Sequence, residues 1–170
     1  MNRTHAWVGG CALVVLFSAP VLAAQTDPDT LSYNLSDNSY QEAMIAPFAY
    51  HWKNESEHKH VVMVGLERGQ FSGPLWGAAV FSNSFGEPCA YGYVGYRYDE
   101  LFDLPGLFVK LTGGVMYGYK GKYERKIPFN HDGWGLAVIP AVGYRITPKD
   151  SIQFGLLGTA AAFVAYSRSF

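Results

Sequence analysis

The sequence has little charge, few cysteines and no long apolar run after its first 23 residues. Only 16% of its 170 residues are charged and the formal net charge is −1, whereas an average soluble domain has about 25% charged residues. A disordered chain combines high charge with low hydrophobicity, and a nucleic-acid binder has an excess of basic residues. The composition therefore argues against both classes and is consistent with a single folded domain.

The shortage of cysteine becomes more pronounced once the N-terminus is interpreted. Arg3 precedes an apolar stretch over 6–22 that ends in the small residues Ala23 and Ala24, a pattern typical of a signal peptide. The alternative is an uncleaved anchor, which Pro20 disfavours. Cleavage after Ala23 removes residues 1–23 and leaves Cys89 as the single cysteine, so the mature chain forms no internal disulfide. We therefore expect an exported protein whose stability has another source, and a membrane is one candidate.

Long apolar runs are also missing from the mature chain. Its longest suitable stretch, Leu136–Tyr144, contains Pro140 and is far shorter than the roughly 20 residues that a membrane-spanning helix needs. A helical crossing is therefore excluded on sequence grounds.

What the chain does contain is aromatic residues (16%) and 19 glycines, which are concentrated in eight short segments. Segments of about ten residues match transmembrane β-strands, which need about 9–11. We predict an all-β fold, an eight-stranded antiparallel transmembrane β-barrel over residues 44–170. A polar periplasmic leader over 24–43 precedes it and holds either a short helix or none. The predicted strands are Met44–Trp52, Val61–Gly69, Leu75–Asn83, Cys89–Tyr98, Gly106–Tyr119, Trp134–Ile146, Ile152–Gly158 and Ala161–Phe170.

The alternation of polar and apolar residues in these segments is imperfect. Both faces of Leu107–Tyr119 are largely apolar, with Lys110 and Thr112 as exceptions, whereas a porin has a polar lumen face throughout. Many glycines lie inside the segments, where they mark bends or close approach to the backbone. Two interpretations stay open: an apolar interior for a long thin ligand, or a small barrel bent tightly around a packed core.

The predicted topology places four connections on the outside of the membrane. With both termini periplasmic, segments 53–60, 84–88, 120–133 and 158–160 lie outside. Segment 120–126 has one acidic residue and four basic ones: Lys120, Lys122, Arg125 and Lys126. Cationic segments at an anionic lipid surface gain favourable electrostatics. We predict a role in binding lipid phosphates; the alternative is an ordinary solvated surface.

Candidate catalytic residues lie at the outward ends of the predicted strands. His51 ends the first strand and Asn83-Ser84 ends the third, so a serine and a histidine base can meet there for acyl transfer, with a third group orienting the imidazole. The alternative is that these residues are ordinary hydrogen-bonding groups. His58 and His60 lie among acidic residues, but alternating charge in a loop is typical of a solvated segment. We therefore expect no metal and no cofactor.

Several stretches resemble one family, the outer-membrane lipid A palmitoyltransferases of the PagP type. Trp76–Asp99 contains Ser-Asn-Ser-Phe-Gly-Glu-Pro followed by a Gly/Tyr-rich strand, which resembles the third strand, catalytic Asp-Ser pair, Glu-Pro loop and fourth strand of that family. Ile127-Pro128 and the segment Ile139–Tyr144 resemble its proline-flanked sixth strand. The similarity extends in patches over about Pro47–Phe170.

The resemblance implies an eight-stranded barrel with an apolar interior that measures an acyl chain. It implies transfer of palmitate from a phospholipid to lipid A in the bacterial outer membrane, by a monomer that needs no cofactor and binds no nucleic acid. Ser84 matches the catalytic serine, His51 the catalytic histidine, and Asn83 occupies the position of the family's aspartate. The resemblance further implies an acyl floor at Gly95, or next to it at Gly92. It also implies lateral lipid access beside two prolines, Pro128 and Pro140.

The sequence departs from the family at three points, one of which is Leu157-Gly158-Thr159, where the family has a proline before Gly-Thr. Asn83 can orient an imidazole by a hydrogen bond but supplies no negative charge. His51 lies one residue closer to Pro47 than the family pattern has it, so His58 and His60 remain alternative bases. Two other functions stay open: a non-catalytic structural or adhesive barrel, and a lipid A deacylase. The deacylase would need a histidine near the last strands, and the chain has none after His131.

Overall fold

The computed structural model describes residues 38–52 and 59–170, and nearly all of them belong to one antiparallel sheet. The strands described are β1 (Ser39–Ala46), β2 (Ala49–His51), β3 (Met63–Gln70), β4 (Pro74–Ser82), β5 (Pro88–Asp99), β6 (Leu107–Tyr117), β7 (Trp134–Arg145), β8 (Asp150–Leu157) and β9 (Ala161–Ser169). Two short 3-10 segments, Leu101–Asp103 and Gly121–Lys126, lie in the connections.

Strand pairing closes the sheet on itself. Neighbouring strands pair in the order β1, β3, β4, β5, β6, β7, β8, β9, and β9 then pairs with both β1 and β2. Because β1 and β2 are two halves of one barrel strand, interrupted at Pro47 and Phe48, the result is a closed eight-stranded barrel. This confirms the predicted fold class. Each predicted segment overlaps an observed strand, and the boundaries shift by a few residues.

The outer surface of the barrel identifies it as a transmembrane type. Residues alternate between the interior and the exterior along every strand, and the exterior positions carry a band of exposed aliphatic side chains between two sets of aromatic ones. An outward apolar band flanked by aromatic girdles is the signature of a β-barrel in lipid. Exposed members include Val64, Leu66, Val80, Val94, Leu111, Val138 and Ile152 in the band, Tyr50, Trp52 and Trp134 at one end, and Tyr96, Tyr98 and Tyr144 at the other.

No helix among the described residues is long and apolar enough to cross a membrane.

The first strand begins earlier than the sequence suggests. β1 starts at Ser39, so 39–43 belong to the barrel and the predicted boundary at residue 44 needs correction. The physical reason is that the polar side chains of Tyr40 and Glu42 face the interior, where they pair with Glu67 and Lys110. Contacts with these distant partners stabilise a polar stretch as a strand. The local sequence pattern does not reveal them, because the partners lie far away in sequence. The remaining leader, 24–37, and the predicted signal peptide, 1–23, lie outside the described residues.

A buried ion cluster crosses the middle of the barrel. Lys110 on β6 places its Nζ 3.1 Å from Glu42 Oε1 and 2.8 Å from Glu67 Oε1. Tyr40 donates a 2.7 Å hydrogen bond to Glu67 Oε1, and Tyr93 donates a 3.0 Å bond to Oε2. All five residues are buried. The charges are thus removed from solvent with their partners in place, the condition under which a buried ion pair is tolerated.

A second buried charge lies below this cluster, closer to the β5–β6 connection. The guanidinium of Arg97 lies 3.8 Å from the centre of the Phe108 ring and within 5.2 Å of the Tyr40 and Phe71 rings. It forms a 2.8 Å ion pair with Asp99, which also pairs with Arg145 at 2.9 Å. Cation–π contact and ion pairing therefore stabilise the same buried side chain.

We predict that Lys110→Met greatly reduces stability. The substitution leaves Glu42 and Glu67 buried without their counter-ion, and breaking a buried pair in this way costs about 3–5 kcal/mol. Denaturant unfolding in detergent micelles measures the loss.

The matched control is Lys149→Met, since Lys149 is exposed in the β7–β8 turn and surface substitutions usually change stability by less than about 0.5 kcal/mol. Equal stability of the Lys110→Met variant and the wild type would contradict the assigned role of the cluster.

Candidate functional site

The connections after β2, β4, β6 and β8 meet at one end of the barrel, which we call the upper end. The turns after β3, β5 and β7 meet at the other, the lower end. The arrangement follows from the strictly alternating strand directions. All candidate catalytic and cationic residues predicted from the sequence that are described therefore lie at the upper end.

Asn83 and Ser84 are buried in the tight β4–β5 connection, with 1% and 5% of their surfaces exposed. The Asn83 Oδ1 accepts 2.9 Å hydrogen bonds from the backbone N–H groups of Phe85 and Glu87, and Nδ2 donates to Glu87 Oε2 at 3.0 Å. Both lone pairs of the amide oxygen are thereby used. Asn83 therefore shapes the turn that presents Ser84, and its predicted orientation of a histidine stays a prediction.

His51 and Ser84 lie at the same end of the barrel. The segment 59–62, which leads into β3, runs beside the turn that contains the serine. The carbonyl of Ser84 accepts a 2.7 Å hydrogen bond from the Lys59 N–H, and the Val62 carbonyl accepts one from Ser82 at 3.2 Å. Half-buried His51 ends β2, opposite Ala161. The pairing of the two side chains stays a prediction.

Of the two alternative bases, His60 lies within the described residues and His58 does not. His58, together with the acidic residues around it, lies outside the described residues. His60 is exposed just before β3.

The cationic segment packs on the turn that contains Ser84. Phe85 and Tyr123 stack with ring centres 3.8 Å apart, and Lys126 Nζ lies 5.6 Å from the Phe85 ring centre. Lys120 Nζ lies 4.6 Å from the Tyr117 ring centre, and its hydrogen bond to Tyr117 raises the pKa of Lys120 above its usual value.

These contacts place positive charge at the turn that contains the buried serine. Exposed Lys120, Arg125 and Lys126 contribute to it. Lys122 lies in the same 3-10 segment, but its side chain is outside the described part of the structure.

One seam of the barrel wall is incomplete in its upper half. The β7–β8 ladder ends at the pair Ala141 and Gly155. Above it, residues 134–140 of β7 form no ladder with β8, and the last two residues of β8 pair with β9. A lateral gap therefore opens between β7 and β8 towards the upper end.

Both predicted access prolines lie at this gap. The Pro128 carbonyl accepts a 3.2 Å hydrogen bond from the Leu136 N–H, on the edge of β7 that faces away from β6. Because N–H groups alternate between the two edges of a strand, the backbone nitrogens of Val138 and Pro140 face the same side. Proline has no N–H, so Pro140 leaves no unpaired donor at the bottom of the gap, where an unsatisfied group in lipid would be costly.

An apolar groove with a volume of about 640 Å³ runs along the exterior wall beside the lower end of this gap. Its volume is within the ~300–1,000 Å³ range of ligand pockets. It is lined by Tyr96, Tyr98, Val109, Lys110, Leu111, Pro140, Ala141, Val142, Phe154 and Leu156.

The interior, by contrast, is packed. An interior cavity of about 40 Å³ lies among Met44, Tyr91, Ile139 and Gln153, and the ion cluster contributes Glu67 and Lys110 to its lining. Ligand pockets usually have volumes of ~300–1,000 Å³. Of the two interpretations left open by the sequence, the described interior matches the tightly bent barrel with a packed core, and its lining is partly charged.

The glycines predicted to form an acyl floor differ in position. Gly95 faces the interior beside Thr112, and a Cβ there would collide with the Leu111 carbonyl oxygen and the Thr112 Cα. Its lack of a side chain therefore permits close approach of β5 and β6. Gly92 lies on the exterior face, where a Cβ would meet nothing within 4 Å. The structure consequently does not bring Gly92 to the interior.

No family model matches the chain, and no curated protein matches it. A solved structure described as "De novo design of transmembrane beta-barrels" is similar to it with a TM-score of 0.48 and 12% sequence identity. The similarity covers 78% of this chain and 96% of that chain.

We predict opposite effects for two glycine substitutions on β5. Gly95→Ala forces a methyl group against the backbone of β6, and overpacking of this kind costs about 1–3 kcal/mol. Gly92→Ala meets no atom and leaves stability unchanged or slightly higher. Unfolding of both variants in the same detergent measures the difference. A Gly95→Ala protein as stable as Gly92→Ala would contradict the close approach of β5 and β6.

Proposed function

We propose that this protein is an outer-membrane enzyme that transfers a palmitoyl chain from a phospholipid to lipid A. The observation that carries the proposal is the position of the β7–β8 gap. It opens towards the same end of the barrel that holds buried Ser84 and the cationic segment. A lipid-facing opening, a nucleophile and a phosphate-binding surface are the three features that acyl transfer between membrane lipids needs.

The gap supplies a route for the donor. An acyl chain in the bilayer reaches the apolar groove beside Pro140 and Phe154 without leaving lipid. It meets no free N–H at Pro140. The interior next to the gap is filled by side chains, so this proposal requires Met44, Tyr91 and Ile139, which line the small cavity, to move aside for the chain.

Ser84 is the proposed reacting group. Its hydroxyl lies in a nearly water-free turn at the upper end, and a positioned histidine can take its proton as the hydroxyl attacks or assists at an ester carbonyl. His51, at the same end, is the proposed base. Asn83 contributes by fixing the turn that holds the serine.

The acceptor is assigned on charge. Lipid A carries phosphates, and Lys120, Arg125 and Lys126 are exposed at the same end of the barrel as Ser84. Each cation near an anionic lipid surface contributes about 1 kcal/mol to binding. The resemblance of Ser-Asn-Ser-Phe-Gly-Glu-Pro to the palmitoyltransferase motif supports the same acceptor.

A second candidate is a non-catalytic barrel. Two observations favour it: the cavity has a volume of only about 40 Å³, and the amide of Asn83 is occupied within its own turn. Such a protein would bind lipid at the gap without modifying it.

The first test compares lipid A from cells that express the wild type or Ser84→Ala. We expect mass spectrometry to show a palmitate-sized increase with the wild type and its loss in the variant, because the substitution removes the reacting hydroxyl. Thr159→Ala changes a hydroxyl residue in another upper connection and serves as the control that retains the increase.

An unchanged lipid A mass with well-expressed wild-type protein would reject the enzyme and leave the non-catalytic barrel. If the wild type does modify lipid A, single substitution of His51, His58 and His60 identifies the base, since only replacement of the acting histidine abolishes the modification.

The second test concerns the cationic segment. We expect the triple variant Lys120→Gln, Arg125→Gln and Lys126→Gln to bind lipid A in micelles roughly a hundredfold more weakly, at about 1 kcal/mol for each charge. The wild-type affinity should fall as salt is added, because exposed charges are screened. Lys149→Gln, at the lower end, is the control. Equal affinities of the triple variant and the wild type would contradict phosphate binding by this segment.

A further inference from the structure

The interior charges form a layer that spans the full width of the barrel. In the closed strand order, β6 stands opposite β1. Lys110 crosses from β6 to Glu42 on β1 and Glu67 on neighbouring β3, at 3.1 and 2.8 Å. The side chains of this layer are 1–4% exposed.

A second layer lies directly beneath the first. Arg97 on β5 fills the space between the rings of Tyr40, Phe71 and Phe108, at 3.8–5.2 Å from their centres. These rings come from β1, the β3–β4 turn and β6. Arg97 is 2% exposed, and Asp99 completes its pairing.

We propose that Glu42, Glu67, Arg97 and Lys110 form an ion-tight septum that closes the barrel between its lower end and the cavity above. An eight-stranded barrel is just wide enough for side chains to fill it. The septum fills it at two successive levels. With Asp99 and Arg145, which complete the pairing of Arg97, three acids and three bases leave these levels without net charge. An ion that enters from below would have to break buried pairs, which are strongly held once they are desolvated.

The septum has a consequence for any ligand. The cavity lined by Met44, Ala79, Tyr91 and Ile139 lies above it, so access is from the upper end or the lateral gap and not from below. Water from the lower end is excluded from the same space. A closed, dry site protects a reactive ester from hydrolysis. This inference does not depend on the proposed transfer reaction and is tested separately from it.

The test is conductance in planar lipid bilayers. We expect no channel activity from the wild type. The quadruple variant Glu42→Ala, Glu67→Ala, Arg97→Ala and Lys110→Ala should give discrete single-channel steps. It truncates both layers and removes equal numbers of acids and bases, so it leaves no uncompensated charge in the septum. The control variant, Leu66→Ala with Leu111→Ala, truncates lipid-facing residues of the same strands and should stay silent. A conducting wild type, or a refolded quadruple variant that does not conduct, would overturn the proposal.

A second measurement applies if the quadruple variant does not refold. Ala79 lines the cavity above the septum, and an Ala79→Cys, Cys89→Ser protein carries one thiol there. In oriented proteoliposomes, a charged maleimide added to the lower side should leave this thiol unlabelled. Lys149→Cys in the same Cys89→Ser background, in the exposed β7–β8 turn at the lower end, is the control that should be labelled faster. Equal labelling of both thiols from below would overturn the septum.

Discussion

The ion cluster of Lys110 with Glu42 and Glu67 is the interaction on which the rest of this barrel depends. It connects opposite walls of a closed sheet, and each partner lies on a different strand. Buried charges are stable only when all of them are paired, so the cluster requires β1, β3 and β6 to keep one register. A shift of one residue would move each side chain to the opposite face. Barrel closure and charge pairing therefore depend on each other. This explains why a polar stretch around Glu42 forms part of a membrane-spanning strand.

The ion cluster also separates two parts of the barrel that differ in structure. Below the cluster, Arg97 and its aromatic neighbours fill the interior. Above it, the wall loses part of one ladder between β7 and β8, and Pro140 lies where an unpaired N–H would otherwise meet lipid. The charged interior contacts thus lie in the middle and lower parts of the barrel, and the interruption of the wall lies in the upper half. Loops and irregular edges on a rigid scaffold are common locations for binding and catalysis, and Ser84 lies in such a loop.

The proposed site combines groups that serve structure and groups that are available for chemistry. Asn83 uses its Oδ1 and one Nδ2–H to stabilise its turn, and the stacking of Phe85 on Tyr123 holds the cationic segment against that turn. Ser84 is buried between them, and exposed Gly86 lies two residues further along the turn. The packed interior is the feature that an acyl chain would have to change. An enzyme of this kind would open when lipid binds, and a structural barrel would stay closed.

The sequence alone determined the fold class, because segment length, aromatic content and the absence of helical spans depend only on local composition and bilayer thickness. It also located the upper connections and both prolines, since alternating strand directions follow from an even strand count. Only the tertiary structure decided what fills the barrel. The pairing of Glu42 with Lys110, 68 residues away, has no local signal, and whether Gly95 makes room for a ligand or for a neighbouring strand depends on the atoms across the ladder. Contacts between distant residues are set by register and closure, and a linear pattern does not record them.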